Sequence, residues 1–346
     1  MIDNIEISPL KAELASEPSL KKLIIQIPCL NEAESLPTTL RELPRCVDGF
    51  DVVEWLVIDD GSTDGTVNVA LLHGVDHIVQ LEHNQGLARA FMAGIERSLK
   101  LGADVIINTD ADNQYSASCI PALVRPILEK RALIVVGTRP VSEIKHFSPI
   151  KKSLQRLGSW VVKIVSGTQI DDAPSGFRAI HRDAAIWLNV FNPYTYTLET
   201  IIQAGRKGIP IISVPIAVND YLRPSRLISS IPNYIQRSII TIFRIFIIYK
   251  PLRFFMLLSI LFAIPALIVI LRFLIFYAQG DGQGHIQSLV LGAGLLAIAG
   301  ILAIGGILAD LVATNRLLLE DIRMRVLRAE IEATVHGEMK KHEDAP

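Results

Sequence analysis

Cysteine is scarce: Cys29, Cys46 and Cys119 are the only three in 346 residues, and they show neither a Cys-x-x-Cys pair nor metal-ligand spacing. A disulfide framework and a zinc cluster are therefore excluded, and the thiols read as small core or surface residues in a reducing compartment. An excess of charge is missing too. With 34 basic and 35 acidic residues the formal net charge is −1, which gives nucleic acid no electrostatic footing. Met1 to Leu20 is polar and acidic without an apolar stretch, so no secretory leader is expected. Internal repeats and low-complexity tracts are also absent.

One further absence is local. Ser288 to Ala309 contains no charged residue, and the earlier apolar run Phe254 to Tyr277 contains only Arg272. At about 1.5 Å per residue, each run is long enough to cross roughly 30 Å of hydrocarbon. A buried hairpin of core helices is the alternative, and the lack of charge argues against it. Arg237, Arg244, Lys250 and Arg253 precede the pair and Arg316, Arg323, Arg325 and Arg328 follow it, whereas the connecting loop has no Lys or Arg. The expectation is an integral membrane protein with both large flanks in the cytoplasm.

From residue 22 to 218, short β-rich runs alternate with amphipathic helical patterns, which predicts an α/β domain with a parallel or mixed sheet. Strands are expected at Leu23–Ile27, Trp55–Ile58, His77–Gln80, Val105–Thr109, Leu133–Val136 and Ile211–Val214. Helices are expected at Ala33–Leu43, Thr66–Leu72, Leu87–Lys100 and Ile120–Lys130. The chain divides into a polar segment (1–21), a catalytic domain (22–227), an interfacial amphipathic helix (228–250), a transmembrane hairpin (251–313) and a charged C-terminal helix and tail (314–346). Ile231, Ile235, Ile239, Ile242, Phe243 and Phe246 give the interfacial segment its apolar face.

Ligands of open α/β sheets sit beyond the carboxyl ends of the strands. Pro28-Cys29-Leu30-Asn31-Glu32 follows the first strand, and Asp59-Asp60-Gly61-Ser62-Thr63-Asp64 follows the second. The acidic turn suits contacts to a base or ribose, although Asp and Ser also serve as ordinary turn and cap residues. After the fourth strand comes Asp110-Ala111-Asp112-Asn113-Gln114. Alternate residues of an extended segment project to one side, so Asp110, Asp112 and Gln114 could present oxygens to Mg²⁺ or Mn²⁺. Arg223-Pro224-Ser225-Arg226 joins the domain to the interfacial segment and could grip a lipid phosphate, or simply attract anionic headgroups.

Pro28 with Glu32, the Asp59-Asp60 turn, Asn84-Gln85-Gly86-Leu87-Ala88-Arg89-Ala90, Asp110-Ala111-Asp112 with Gln114, and Ser175-Gly176-Phe177-Arg178 together resemble the family 2 inverting glycosyltransferases. Order and spacing are most similar to the polyprenyl-phosphate hexose synthases, over roughly residues 22 to 230. The resemblance implies a GT-A-like, Rossmann-type domain that uses a nucleotide sugar and a divalent metal. It implies that Pro28, Leu30 and Glu32 line the nucleoside pocket, that Asp59 and Asp60 belong to the donor site with Asp60 on the base, and that Asp110, Asp112 and Gln114 hold the metal. Arg139 would face the diphosphate or acceptor phosphate. Arg178 and Glu199 would order the acceptor side, with Arg223, Ser225 and Arg226 on the acceptor phosphate. Relatives often carry an aromatic or small polar residue where this chain has Leu30.

Other acceptors, a different lipid or a glycan, stay open. A processive synthase is disfavoured because Gln155-Arg156-Leu157 and Gln236-Arg237-Ser238 do not reproduce a Gln-x-x-Arg-Trp motif. A non-catalytic nucleotide-sugar-binding protein is disfavoured by the intact acidic motifs. Both UDP-hexose and GDP-mannose fit the framework, with a slight leaning to UDP. Gly292, Gly294, Gly300, Gly305 and Gly306 would permit close helix contact, within the hairpin or in a homo-oligomer.

Overall fold

A computed structural model describes residues 21–140, 149–190, 196–219, 240, 243–244, 247–280 and 285–343, without side chains for 149–157, 332 and 334–343. The polar N-terminal segment up to residue 20, Arg223, Ser225, Arg226 and most of the expected interfacial helix lie outside the described residues.

The alternation of elements builds one seven-stranded sheet. Its strands are β1 (Lys22–Cys29), β2 (Val52–Asp59), β3 (His77–Gln80), β4 (Val105–Asn108), β5 (Ile134–Thr138), β6 (Arg178–His181) and β7 (Ile211–Pro215), in the order β3-β2-β1-β4-β6-β5-β7. All neighbours pair parallel except β6, which runs antiparallel to β4 and β5. Every expected strand forms. The additional one, β6, is four residues long, and its residues belong to a motif that reads as chemistry rather than as a strand.

Helices α1 (Leu36–Glu42), α2 (Thr66–Leu72), α3 (Leu87–Lys100), α4 (Ile120–Leu128), α5 (Pro149–Ser166), α6 (Arg182–Trp187) and α7 (Thr197–Arg206) cover the two faces. A sheet covered on both sides needs strands that are apolar throughout. Leu23, Ile25 and Ile27 of β1 therefore enter one core with Leu36, Leu40 and Leu123, while Ile24 enters the other with Phe91, Ile95 and Leu99. Chain order reverses between β1 and β4, which opens a crevice at their carboxyl ends. That switch point is where a ligand is expected to bind.

Beyond the domain, Pro251–Ala278 and Ile286–Glu343 are long helices, each apolar and long enough to cross a membrane. Their apolar side chains are largely exposed, as Leu257, Leu261 and Ile301 illustrate, whereas a core hairpin would bury them. They pack closely on each other. Gly292 lies against Ala266 and Ile270, Gly306 against Phe255, and Ser259 Oγ donates to the Ala299 carbonyl at 2.8 Å. Those two glycines serve the intramolecular contact, whereas a Cβ at Gly294, Gly300 or Gly305 would meet nothing within 4 Å among the described residues.

The second helix does not stop where its apolar run ends. From Ile307 to His336 the chain has neither Gly nor Pro, so nothing interrupts it, and the expected separate C-terminal helix is its continuation. Met324, Leu327 and Ile331 of this extension join the catalytic core with Tyr249. Arg316 donates to Glu199 Oε1 at 2.6 Å, Tyr249 donates to the same oxygen at 2.8 Å, and Lys207 pairs with Glu320 at 3.2 Å. Arg323 donates to the Leu188 carbonyl at 3.0 Å. The extension is thus an integral buttress of the domain.

Candidate active site

The turns after β1 and β2 are stitched into one wall. Asn31, in the left-handed region at φ 55°, accepts from Thr63 N through Oδ1 at 2.8 Å, and its own N–H donates to Ser62 Oγ at 2.9 Å. Glu32 N donates to Thr66 Oγ1 at 2.9 Å, and Asp59 Oδ1 accepts from Ser62 N at 3.2 Å. Pro28 is buried at the end of β1, with Leu30 and Glu32 half-buried beside it.

Asp60 clamps a third segment to this wall. Its two carboxylate oxygens accept from Gln85 N at 2.8 Å and Gly86 N at 2.9 Å, which fixes the entry to α3. Gly61 lets that segment approach: at φ 74°, a Cβ there would lie 2.7 Å from Asn84 N. The role implied for Asp60, contact with a base, must therefore use the lone pairs that these bonds leave over.

Asp110 and Asp112 stand at the end of β4, beside the switch point. Both are half-buried, and Asp112 Oδ1 accepts from Gln114 N at 3.1 Å. Burial, then the charge of Asp112, push the Asp110 carboxyl up to about 7; Glu32 adds to this, against Arg139 and a Tyr115 hydrogen bond. Among the described residues, no group of three or more His, Cys, Asp or Glu side chains is arranged to hold a metal ion. Two crowded carboxylates with an amide nonetheless fit Mg²⁺ or Mn²⁺, because such ions complete their shell with water and substrate phosphate and relieve the repulsion.

A pH dependence follows from the sign of that shift. In metal-free protein the native state keeps a proton on Asp110 that the unfolded chain has released. This site's contribution to stability is therefore present at acid pH and is lost as pH rises through about 7. Thermal unfolding in a chelator should show that decline, at most about 1.4 kcal/mol per pH unit. Asp110→Asn should abolish it, and an unchanged profile in that variant would refute the protonated state.

The Ser175-Gly176-Phe177-Arg178 motif packs behind Asp110. A Cβ on Gly176 would lie 2.8 Å from the Tyr196 hydroxyl and 3.0 Å from Asp110 Oδ1, so only glycine fits. Its carbonyl accepts from Asn108 Nδ2 at 2.9 Å, its N–H donates to the Tyr115 hydroxyl at 3.0 Å, and Phe177 stacks on Tyr115. Arg178 is fully buried in this support. Its guanidinium donates to the Ser175 and Ala173 carbonyls at 2.9 Å each and to Thr200 Oγ1, while burial pulls its pKa down to about 10. These bonds all point into the domain, so any part Arg178 has in ordering the acceptor side would run through the residues it holds. Glu199 lies in the buttress, bonded to Tyr249 and Arg316.

Arg139 is where the sequence places it, after β5 and acting on Asp110, but its guanidinium is held by Asp172. Nε reaches Asp172 Oδ2 at 2.8 Å and Nη2 reaches Oδ1 at 3.0 Å. Sequence reasoning missed Asp172. The available signal was the acidic pair Asp171-Asp172 just ahead of the glycine motif. Tyr115, next to Gln114, was missed as well.

The acidic loop is also tied to the segment that follows β7. Tyr115 bridges Val218, Asn219 N donates to the Gln114 carbonyl at 2.9 Å, and Asn219 Nδ2 donates to the Asn113 carbonyl at 3.1 Å. Asn219 is four residues before Arg223 in the chain.

A mixed seven-stranded sheet with paired carboxylates beside its switch point is the architecture of a GT-A glycosyltransferase. Comparison with known proteins gives the family. The chain belongs to glycosyl transferase family 2, whose model matches residues 24–187. Undecaprenyl-phosphate mannosyltransferase of Micrococcus luteus is 31% identical over 205 residues, covering 56% of this chain and 82% of the relative. The UDP-N-acetylglucosamine–dolichyl-phosphate N-acetylglucosaminyltransferase of Methanococcus voltae is 26% identical, covering 57% and 85%. Polyprenol monophosphomannose synthase of Mycolicibacterium smegmatis is 25% identical, covering 59% and 79%. These relatives place the chain in the polyprenyl-phosphate glycosyltransferase group. A solved structure of glucosyl-3-phosphoglycerate synthase from Mycobacterium tuberculosis is more distant, with a TM-score of 0.49 and 22% identity over 60% of this chain and 74% of that one.

Proposed function

We propose that this enzyme transfers a hexose from a nucleotide sugar, UDP-hexose or GDP-mannose, to a polyprenyl phosphate at the cytoplasmic face of a membrane, with inversion at the anomeric carbon. The observation that carries the reading is the crowded Asp110–Asp112 pair beside Arg139, in a chain that also carries two exposed apolar helices. The relatives' names supply the acceptor class. The basic residues on both sides of the apolar pair support the cytoplasmic placement.

Asp110, Asp112 and Gln114 would hold Mg²⁺ or Mn²⁺, and the bound ion would neutralise charge on the leaving diphosphate. Pro28, Leu30, Glu32, Asp59 and Asp60 would form the wall on which the nucleoside rests. The acceptor phosphate is already anionic near neutral pH, so no strong general base is needed. Catalysis then rests on positioning and charge stabilisation. Arg139, oriented by Asp172, would face the phosphates, and Arg223, Ser225 and Arg226 would grip the lipid phosphate.

The test is product analysis. Reconstituted protein given UDP- or GDP-hexoses, polyprenyl phosphate and Mn²⁺ or Mg²⁺ is expected to form a glycosyl lipid of inverted configuration, and excess chelator should stop it. Donor consumption without any glycosyl lipid would overturn the assigned acceptor.

A further inference from the structure

Helix α5 has two unlike faces. Val161, Val162 and Val165 are buried in the domain core, whereas Trp160 is 57% exposed and Ile164, one turn later, 43%. A half-exposed indole beside a half-exposed isoleucine is poorly suited to water, and Trp is the residue that favours a membrane–water interface.

The position of this face names its partner. Lys250 Nζ donates to the Ile164 carbonyl at 2.8 Å, and Lys250 is the residue immediately before the first apolar helix, Pro251–Ala278. Ile164 is therefore one lysine side chain from the start of that helix, and Trp160 is about one turn, roughly 6 Å, back along α5. The 28-residue helix is about 42 Å long against a hydrocarbon layer of roughly 30 Å. Its first turn, with Arg253, has enough spare length to lie among the headgroups. Lys163, at the same helix end, is paired with Asp171 at 2.6 Å.

We propose that α5 is a membrane-contacting element, with Trp160 and Ile164 seated at the boundary between lipid headgroups and acyl chains. The proposal rests on the reading that the two apolar helices span the bilayer. It has a consequence for the site: α5 lies in the chain between Arg139 and Asp172, so lipid contact along it would fix both halves of that ion pair against the membrane surface.

The test uses the full chain in phosphatidylcholine–phosphatidylglycerol vesicles with brominated acyl chains, where the difference between wild type and Trp160→Phe isolates the Trp160 signal. That signal is expected to fall at least about twofold, more with bromine near the carbonyl end than near the methyl end. A second variant, Leu267→Trp in the Trp160→Phe background, reports the middle of the first apolar helix. Quenching of that probe with an unquenched Trp160 would overturn the α5 contact and leave the spanning helices intact. If neither probe is quenched, the spanning reading and the α5 contact fall together.

Discussion

Replacing Asp112 by alanine is expected to lower sugar transfer by about 10³-fold, the scale on which removal of one preorganised electrostatic group slows an enzyme. One Asp112 oxygen accepts from Gln114 N, and the other has no protein donor among the described residues. The side chain is half-buried, so folding does not depend on its packing. Removing it also removes the neighbour that helps hold Asp110 protonated. Thermal stability at neutral pH should therefore be unchanged or slightly higher while turnover collapses. Rates should be measured across a wide range of Mn²⁺, since loss of a ligand weakens metal affinity as well as catalysis. Near-wild-type turnover at low metal would remove Asp112 from the assigned role.

Arg178→Met is expected to act in the opposite way, through stability. The substitution leaves the Ser175 and Ala173 carbonyls and the Thr200 hydroxyl without their charged donor in a buried place. Loss of charge-assisted hydrogen bonds that leaves buried acceptors unpaired costs about 2 to 5 kcal/mol. For a domain of this size that corresponds to a fall in Tm of roughly 5 to 15 °C. Were Arg178 instead a grip for the acceptor phosphate, the variant would keep its Tm and show a raised KM for the lipid. Thermal unfolding measured beside acceptor kinetics separates the two roles, and an unchanged Tm would refute the internal one.

The contrast between these two residues shows what a sequence reveals. Asp110 and Asp112 are two residues apart after an apolar strand, and their convergence follows from strand geometry alone. Arg178 sits in an equally distinctive motif, yet its direction depends on β6 lying antiparallel between β4 and β5. That insertion turns the guanidinium into the interior. Asp60 falls between these cases: its place after β2 was legible, but its clamp on Gln85 and Gly86 was not.

Local pattern by itself determined six strands of the domain and the helices α1 to α4, the acidic turns at the strand ends and the two apolar helices, but not β6 or the helices α5 to α7. Each depends on residues within a few positions of one another, through periodicity, turn chemistry or unbroken apolar length. Tertiary structure alone decided the pairing of Arg139 with Asp172 across 33 residues and of Glu199 with Arg316 across 117. It also decided that the second long helix runs on into the domain core and that Trp160 is exposed on α5, one turn from the Ile164 carbonyl that Lys250 reaches. Such pairings leave no periodic trace, because they arise only when separate elements pack and buried charges must find partners at whatever chain distance packing supplies.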